Sequence, residues 1–383
     1  MNQVTLGAKA LRHNLARLRS LLDAHGASLT VVTKALCGHE PTIAALRQMG
    51  VTSMADSRLP NLDAVRRAAP GAQRWYLRPP HLSEIDRVVR VADVSLNSEF
   101  GTIRLLDQAA ARAGLRHGVV IMVELGDLRE GLLPGALVDV YKRTLRLRNI
   151  DVLGIGANLG CLSGVVPARE SFMQLAMYHE LLELKFGRPL PLVSAGTSAV
   201  LPLLMQGLLP KAINHFRVGE SILLGTDLVH GGTLEGFRDD AAVVDAEIIE
   251  IIEKSLVPTG EVADVSPFES SADTVTHPPG GRGYRALVNL GQVDTEVSGL
   301  VPVHAQHRIA GASSDITVVH IGDDPAGLKV GDRMRFRVGY SSLVRLMSSR
   351  YTDACLVPAE QDKVPILRPV RRPVNGEGPV LGA

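Results

Sequence analysis

Lys34 stands at the end of a short β-branched apolar run, Leu29-Thr-Val-Val-Thr33. Seven later apolar runs also end on, or contain, hydrogen-bonding groups. Asp56-Ser57-Arg58 follows the second, Arg78 the third, Asn97-Ser98 the fourth, Asp127-Leu-Arg129 the fifth and Asn158 the sixth. Gly196-Thr197-Ser198 follows the seventh, and Arg217-Val-Gly219-Glu220-Ser221 sits in the eighth. An ammonium at the end of a buried strand is costly without a partner. That cost can lower its pKa enough to make the lysine a nucleophile toward an aldehyde. The small residues of the last two segments free backbone N–H groups and hydroxyls to face an anion. A strand-end lysine, a phosphate cradle and a nearby arginine together point to pyridoxal phosphate (PLP) held as a Schiff base. Taken singly, each feature has a plainer reading. Lys34 would be a snorkelling lysine, Thr197 and Ser198 a helix N-cap, and Arg129 and Arg217 structural ion-pair residues.

These residues need a scaffold that brings strand ends together. Residues 10–26 carry Leu11, Leu15, Leu18 and Leu22 at spacings of three and four, with Gly26 closing the segment, as in a helix. Helical patterns also separate the apolar runs, whose starts lie roughly 20–40 residues apart, the span of a βα unit. The runs are mostly continuous rather than alternating, as buried parallel strands are. The eighth is read as a strand from Phe216 to Leu224. The pattern predicts an α/β fold: a (β/α)8 TIM-type barrel whose strands carry their site at the carboxyl ends. A doubly wound open sheet is the alternative, because strand order is invisible in sequence. After Gly231-Gly232 the texture changes to β-branched segments punctuated by Pro and Gly. We therefore expect a barrel domain over 1–235, a mostly β domain over 236–370 and a flexible tail over 371–383. Ser266 to Gly283, polar and rich in Pro and Gly, reads as a mobile loop.

Composition narrows the function. With 383 residues the chain exceeds one ordinary domain. Lys+Arg 41 against Asp+Glu 40 leaves a net charge of +1, which argues against nucleic acid or an anionic membrane surface as partner. No apolar stretch approaches the roughly 18 residues of a membrane span, and the N-terminus has no signal-peptide pattern. The cysteines, Cys37, Cys161 and Cys355, are odd in number and far apart. That excludes a disulfide scaffold and zinc-ligand spacing, and fits a cytoplasmic setting without a bound metal.

The segment Val31-Val-Thr-Lys-Ala-Leu-Cys-Gly-His39 resembles the lysine segment of the alanine racemase family, the barrel-type PLP enzymes of fold type III. Met54-Ala-Asp-Ser-Arg58, Val94-Ser-Leu-Asn-Ser-Glu99, Glu124-Leu-Gly-Asp-Leu-Arg-Glu-Gly131 and Phe216-Arg-Val-Gly-Glu-Ser-Ile-Leu-Leu-Gly225 look more like its ornithine racemase branch, as does Ala312-Ser-Ser-Asp315. The resemblance covers roughly residues 3–356. It implies that Lys34 is the Schiff-base lysine and one catalytic base. Arg129 matches the arginine near the cofactor's phenolic oxygen, and Asn158 lies where alanine racemases have a histidine near the ring. Arg217 matches the arginine facing the pyridine nitrogen. Thr197 and Ser198, with Gly219 and Glu220 through their backbone, fall at the phosphate, and Tyr340 matches a tyrosine closing over it. A guanidinium keeps its proton, so the ring nitrogen would stay unprotonated and proton return would be favoured over transamination.

Racemisation needs an acid/base on each face of the α-carbon, and Lys34 serves one. The second base of alanine racemases is a tyrosine in a Gly-Tyr-x-Asp segment. The matching stretch here is Leu290-Gly-Gln-Val-Asp294, and Gln292 cannot act as a base. Cys37, His39, Asp294, Asp315 and Tyr340 remain open as substitutes. The leading expectation is a PLP-dependent racemase of ornithine or a similar basic amino acid, with Asp294 and Asp315 receiving the distal ammonium. The family pattern implies a homodimer with shared active sites. A fold type III decarboxylase and a PLP-binding carrier are the competing readings; carriers of this type usually lack a large β half.

Overall fold

The computed structural model describes residues 2–261, 280–325 and 327–359. The expected loop over 266–283 lies mostly outside them, and the tail over 371–383 entirely so. The chain opens with strand β1 (Asn2–Gly7) and helix α1 (Ala8–His25). Leu11, Leu15, Leu18 and Leu22 are buried on α1, and Gly26 closes it in the left-handed region at φ 82°. Eight parallel strands then close into a barrel. They are β2 (Ser28–Val32), β3 (Ser53–Asp56), β4 (Gln73–Tyr76), β5 (Val94–Asn97), β6 (His117–Met122), β7 (Ile150–Gly156), β8 (Leu192–Gly196) and β9 (His215–Val218). Helices α2 (Glu40–Gln48), α3 (Leu59–Ala68), α4 (Ile85–Val91), α5 (Phe100–Ala113), α6 (Pro134–Thr144), α7 (Arg169–Phe186), α8 (Leu201–Met205) and α9 (Glu220–Leu224) follow the strands in turn. The open-sheet alternative falls, because β9 pairs back onto β2.

Each anticipated strand run is present, with one correction. The run Phe216 to Leu224 is not one strand: β9 stops at Val218 and α9 begins at Glu220. Gly219 makes the break. A Cβ there would lie 2.6 Å from the Val32 carbonyl oxygen, so β9 and β2 approach each other at a point only glycine permits. Inside the barrel Trp75 stacks on His215 at 4.6 Å between ring centroids. His215 is hydrogen-bonded to Ser194 Oγ (2.7 Å) and Thr30 Oγ1 (2.9 Å), so its polar atoms are satisfied.

The second unit is a largely antiparallel sheet. Its strands are β10 (Ala242–Ser255), β11 (Arg282–Val288), β12 (Leu300–Pro302), β13 (Arg308–Ala312), β14 (Thr317–Gly322), β15 (Arg333–Val338) and β16 (Thr352–Val357), with helix α10 (Tyr340–Ser348) before the last. The order is β12-β15-β10-β11-β14-β13. The long β10 pairs with β15 and β1 through its first half and with β11 through its second, across a register shift between Ile248 and Glu250. The anticipated boundary at residue 235 differs from this arrangement at one end. β1 lies in the second sheet, antiparallel to β10 and parallel to β16, with Asn2 opposite Thr352. Its buried Val4 and Leu6 supply the packing that holds it there. Among the described residues no helix is long and apolar enough to cross a membrane.

Candidate active site

The carboxyl ends of the barrel strands surround a cavity of about 360 Å3, within the ~300–1,000 Å3 common for small-molecule sites. Lys34 enters it from a single 3-10 turn, Lys34–Leu36, directly after β2. Thr33 anchors that turn, its hydroxyl donating to Ala55 O (3.2 Å) and Asp56 Oδ2 (2.9 Å). Asp56 is buried and also accepts from Arg58 N (3.0 Å) and Asn61 Nδ2 (3.1 Å). Burial raises its pKa, and these donors work against the rise. Beyond the turn, Cys37 and Gly38 adopt φ 47° and 81°, in the left-handed region. Burial lowers the Lys34 ammonium from the ordinary lysine value. Cys161 and Asp56 oppose the shift, while Arg129 and Arg217 add to it.

Arg217, on β9, is held by three acceptors: Ser194 O and Ser194 Oγ, each at 2.5 Å, and Ala157 O at 3.0 Å. Its guanidinium is thus fixed by β8 and by the residue that follows β7. Burial brings it down to about 10, which leaves it charged at neutral pH. Arg129 follows β6 and forms an ion pair with the neighbouring Glu130, its Nη2 donating at 2.6 Å. The loop carrying Arg129 is joined to the loop after β7 through Asp127. The Asp127 carboxylate accepts from Leu162 N (2.9 Å), Cys161 N (3.2 Å) and Ser163 N (3.3 Å). Burial would raise this carboxyl, yet those backbone donors outweigh it and the pKa is lowered.

Asn158, Thr197, Ser198, Gly219, Glu220 and Tyr340 line the same cavity. Ser198 Oγ accepts from Ser221 N (3.3 Å), which ties the turn after β8 to the start of α9. Burial pushes the Glu220 carboxyl up to about 7 against the opposing charge of Lys34. Tyr340 begins α10 and so brings the second unit to the rim. Burial pushes its phenol up to about 12, and Glu220 and Asp56 push the same way. Nδ2 of Asn158 and Oγ1 of Thr197 are buried without a hydrogen-bond partner among the described residues. Buried polar groups are rarely left so. Two orphaned groups on the wall of one cavity mark positions that a ligand's acceptors or donors would satisfy.

All nine residues anticipated around PLP thus meet in one cavity. Asp294 and Asp315 do not line it. Asp294 Oδ2 accepts from Gly291 N (3.0 Å) and Asp315 from Ser314 Oγ (3.0 Å). Their two loops lie side by side, joined by Gln292 N to Ser313 O (3.0 Å) and Val293 N to Ser314 O (2.8 Å). Cys37 and His39 also lie outside the lining. The Cys37 thiol is directed at Lys34 O (3.6 Å) and Val344 O (3.8 Å), where it joins the lysine turn to α10, and burial raises its pKa. His39 is hydrogen-bonded to Thr42 Oγ1 (2.8 Å), and burial lowers its pKa. Glu130 and Cys161 line the cavity and were not singled out as site residues. Their signals were adjacency to Arg129 and a position three residues beyond Asn158. Among the described residues no cluster of His, Cys, Asp and Glu could hold a metal ion.

Comparison with known proteins places this architecture. The family described as alanine racemase, N-terminal domain, matches residues 7–227, and the chain belongs to that family. It is 34% identical over 352 residues to an ornithine racemase of Acetoanaerobium sticklandii, covering 92% of this chain and 98% of the relative. It is 29% identical over 357 residues to a lysine racemase of Thermotoga maritima, covering 93% and 99% respectively. The alanine racemase of Streptomyces coelicolor A3(2) superposes with a TM-score of 0.71 at 19% identity, covering 93% of this chain and 98% of that one; this likeness concerns the fold.

Proposed function

We propose that the protein is a PLP-dependent amino-acid racemase acting on ornithine or a similar basic amino acid. One observation carries the proposal: a lysine whose pKa burial lowers shares a cavity with a fixed arginine and two unsatisfied buried groups. PLP fits this donor set. Lys34 would take its aldehyde, Arg217 its ring nitrogen and Arg129 its phenolic oxygen. Asn158 would stand beside the ring. Thr197, Ser198 and the Gly219-Glu220 backbone would receive the phosphate, with Tyr340 above. When bound, PLP supplies an electron sink for the pair released as the α C–H bond breaks. Arg217 stays protonated and offers that sink a hydrogen bond without surrendering a proton. Lys34 accepts or returns the α-proton on one face of the substrate.

The basic substrate is supported by the names of the two relatives. Asp294 and Asp315, brought side by side on adjoining loops, would meet the distal ammonium from a second subunit in a homodimer. A cytoplasmic setting accords with the free state of Cys37, Cys161 and Cys355. The test is a chiral assay of ornithine, lysine and alanine with PLP-loaded protein in deuterated water. Inversion with α-deuteration, faster on ornithine or lysine than on alanine, is the expected result. Release of carbon dioxide would make it a decarboxylase, and neither exchange nor release a carrier.

A further inference from the structure

We infer that Cys161 is the second acid/base, serving the face of the α-carbon turned away from Lys34. The inference rests on the racemase reading above. Gln292 leaves the reaction without the tyrosine that alanine racemases use. The ionisable groups lining the cavity are Lys34, Arg129, Arg217, Glu130, Cys161, Glu220 and Tyr340. The two arginines do not release protons at neutral pH. Glu130 is engaged in its ion pair with Arg129. Glu220 follows β9, which pairs with β2, so it stands beside Lys34 and shares its side of the barrel. Tyr340 opens α10, the helix tied to the lysine turn through the Cys37 thiol. Cys161 remains, and it comes from elsewhere on the rim.

Around the barrel, β7 lies three strands from β2, with β8 and β9 between them, so the loop after β7 enters the mouth from a different part of the rim than Lys34. Asp127 fixes that loop by accepting from Cys161 N (3.2 Å), and the thiol is free and exposed. Lys34, Arg129 and Arg217 line the same cavity as Cys161, so the thiol shares its surroundings with three basic side chains. The orphaned Asn158 Nδ2 and Thr197 Oγ1 line the same cavity, so the thiol lies in the ligand-binding site on which the proposed function rests.

The proton steps balance. In one direction the Lys34 amine takes the α-proton, forming a new N–H bond while the C–H electron pair stays with the substrate. The Cys161 S–H bond then breaks, its proton joins the α-carbon from the opposite face, and the sulfur keeps the electron pair as thiolate. The enzyme is left with a Lys34 ammonium and a Cys161 thiolate. Transfer of a proton from nitrogen to sulfur through solvent restores it. The reverse isomerisation starts with the thiolate as base.

The test uses full-length wild type, Cys161→Ala and Cys161→Ser, each loaded with PLP and given one enantiomer of ornithine at a time in deuterated water. Both variants should bind PLP and unfold at the wild-type temperature. Inversion should fall about 1,000-fold, within the range of general acid–base catalysis. Deuterium exchange with retention should persist for the enantiomer whose α-hydrogen faces Lys34 and vanish for the other. Independently of turnover, iodoacetamide should alkylate Cys161 in the cofactor-free protein, and PLP with ornithine should protect it. Wild-type inversion in Cys161→Ala would overturn the inference and turn attention to Asp294 or Asp315 of a second subunit. Equal loss of exchange from both enantiomers, or alkylation unaffected by PLP and ornithine, would overturn it too. If the wild type itself racemises nothing, the racemase reading fails instead.

Discussion

At the residue scale, Lys34 and Arg217 show two ways of burying a cation. Lys34 is placed where burial works against its charge, the condition that makes an amine available as a nucleophile. Treating the protein with PLP and borohydride should therefore attach the pyridoxyl group to Lys34, found by peptide mapping and missing in Lys34→Ala. Labelling of Lys211 or Lys254 instead would refute the assignment. Arg217 is held by charge-assisted bonds to Ser194 and Ala157. Arg217→Met would take a charge-assisted donor away from Ser194 O, Ser194 Oγ and Ala157 O in the barrel interior. We expect it to lower the unfolding free energy by about 3 kcal/mol, read from urea denaturation. A glutamate there would face the same three acceptors, so the charge reversal would mix electronic and folding effects. The strand-end residues were legible in sequence because a barrel gathers the carboxyl ends of its strands. Cys161 was not, because its role depends on which loops Asp127 ties together, and that linkage leaves no periodic trace.

At the element scale, the barrel units were legible because continuous apolar runs and helical leucine spacing repeat along the chain. The second sheet was read less fully. β12 is three residues long, and β13 carries one β-branched residue in Arg308–Ala312, so neither has a strand pattern of its own. α10 was absent from the sequence reading, although Leu343 and Leu346 recur on its buried face. The close approach of β9 to β2 gives a direct prediction. Gly219→Ala would drive a methyl group toward Val32 O and push apart the two strands beneath Lys34. A loss of about 1–3 kcal/mol in stability is expected, with weaker PLP binding by spectroscopic titration.

The histidines give the sign of the pH dependence. Burial lowers His117 to about 4 and His215 to about 3, and His307 also lies at about 4, all from 6.5. Below pH 6.5 the unfolded chain takes up protons that these folded groups refuse, so stability falls as pH falls toward 4. Glu220, raised to about 7, acts in the opposite direction between 4.5 and 7, as does the raised Asp56 at the acid end. His117 and His215, the two deeply buried, each contribute about 1.4 kcal/mol per pH unit where uncompensated, and the more open His307 contributes less. Urea midpoints between pH 6.5 and 5 should therefore decrease, and a flat or rising profile would contradict these environments.

At the scale of the whole molecule, several exposed apolar side chains lie in loops that follow strands. Leu128 and Leu133 follow β6, Leu162 and Val166 follow β7, and Val293 adjoins Asp294; they are 74%, 69%, 63%, 61% and 72% exposed. Apolar residues so placed fit a surface covered by another subunit, and a two-fold axis would put each pair of acidic loops over the other barrel. We expect a dimer by sedimentation. Mixing Lys34→Ala with Asp315→Ala subunits should restore one working site per heterodimer, provided each variant alone is inactive. An active monomer, or no complementation despite verified subunit exchange, would exclude shared sites.

The position of β1 bears on how the molecule is made. Its partners in the second sheet are β10, beginning at Ala242, and β16, beginning at Thr352. During synthesis the first strand leaves the ribosome long before either neighbour exists. The barrel can close as soon as β9 has emerged, while β1 stays unpaired at its edge. The sheet is completed only when nearly the whole described chain is out, since β16 must slot in alongside a strand made at the start. That late, long-range pairing is where folding of this chain should be slowest.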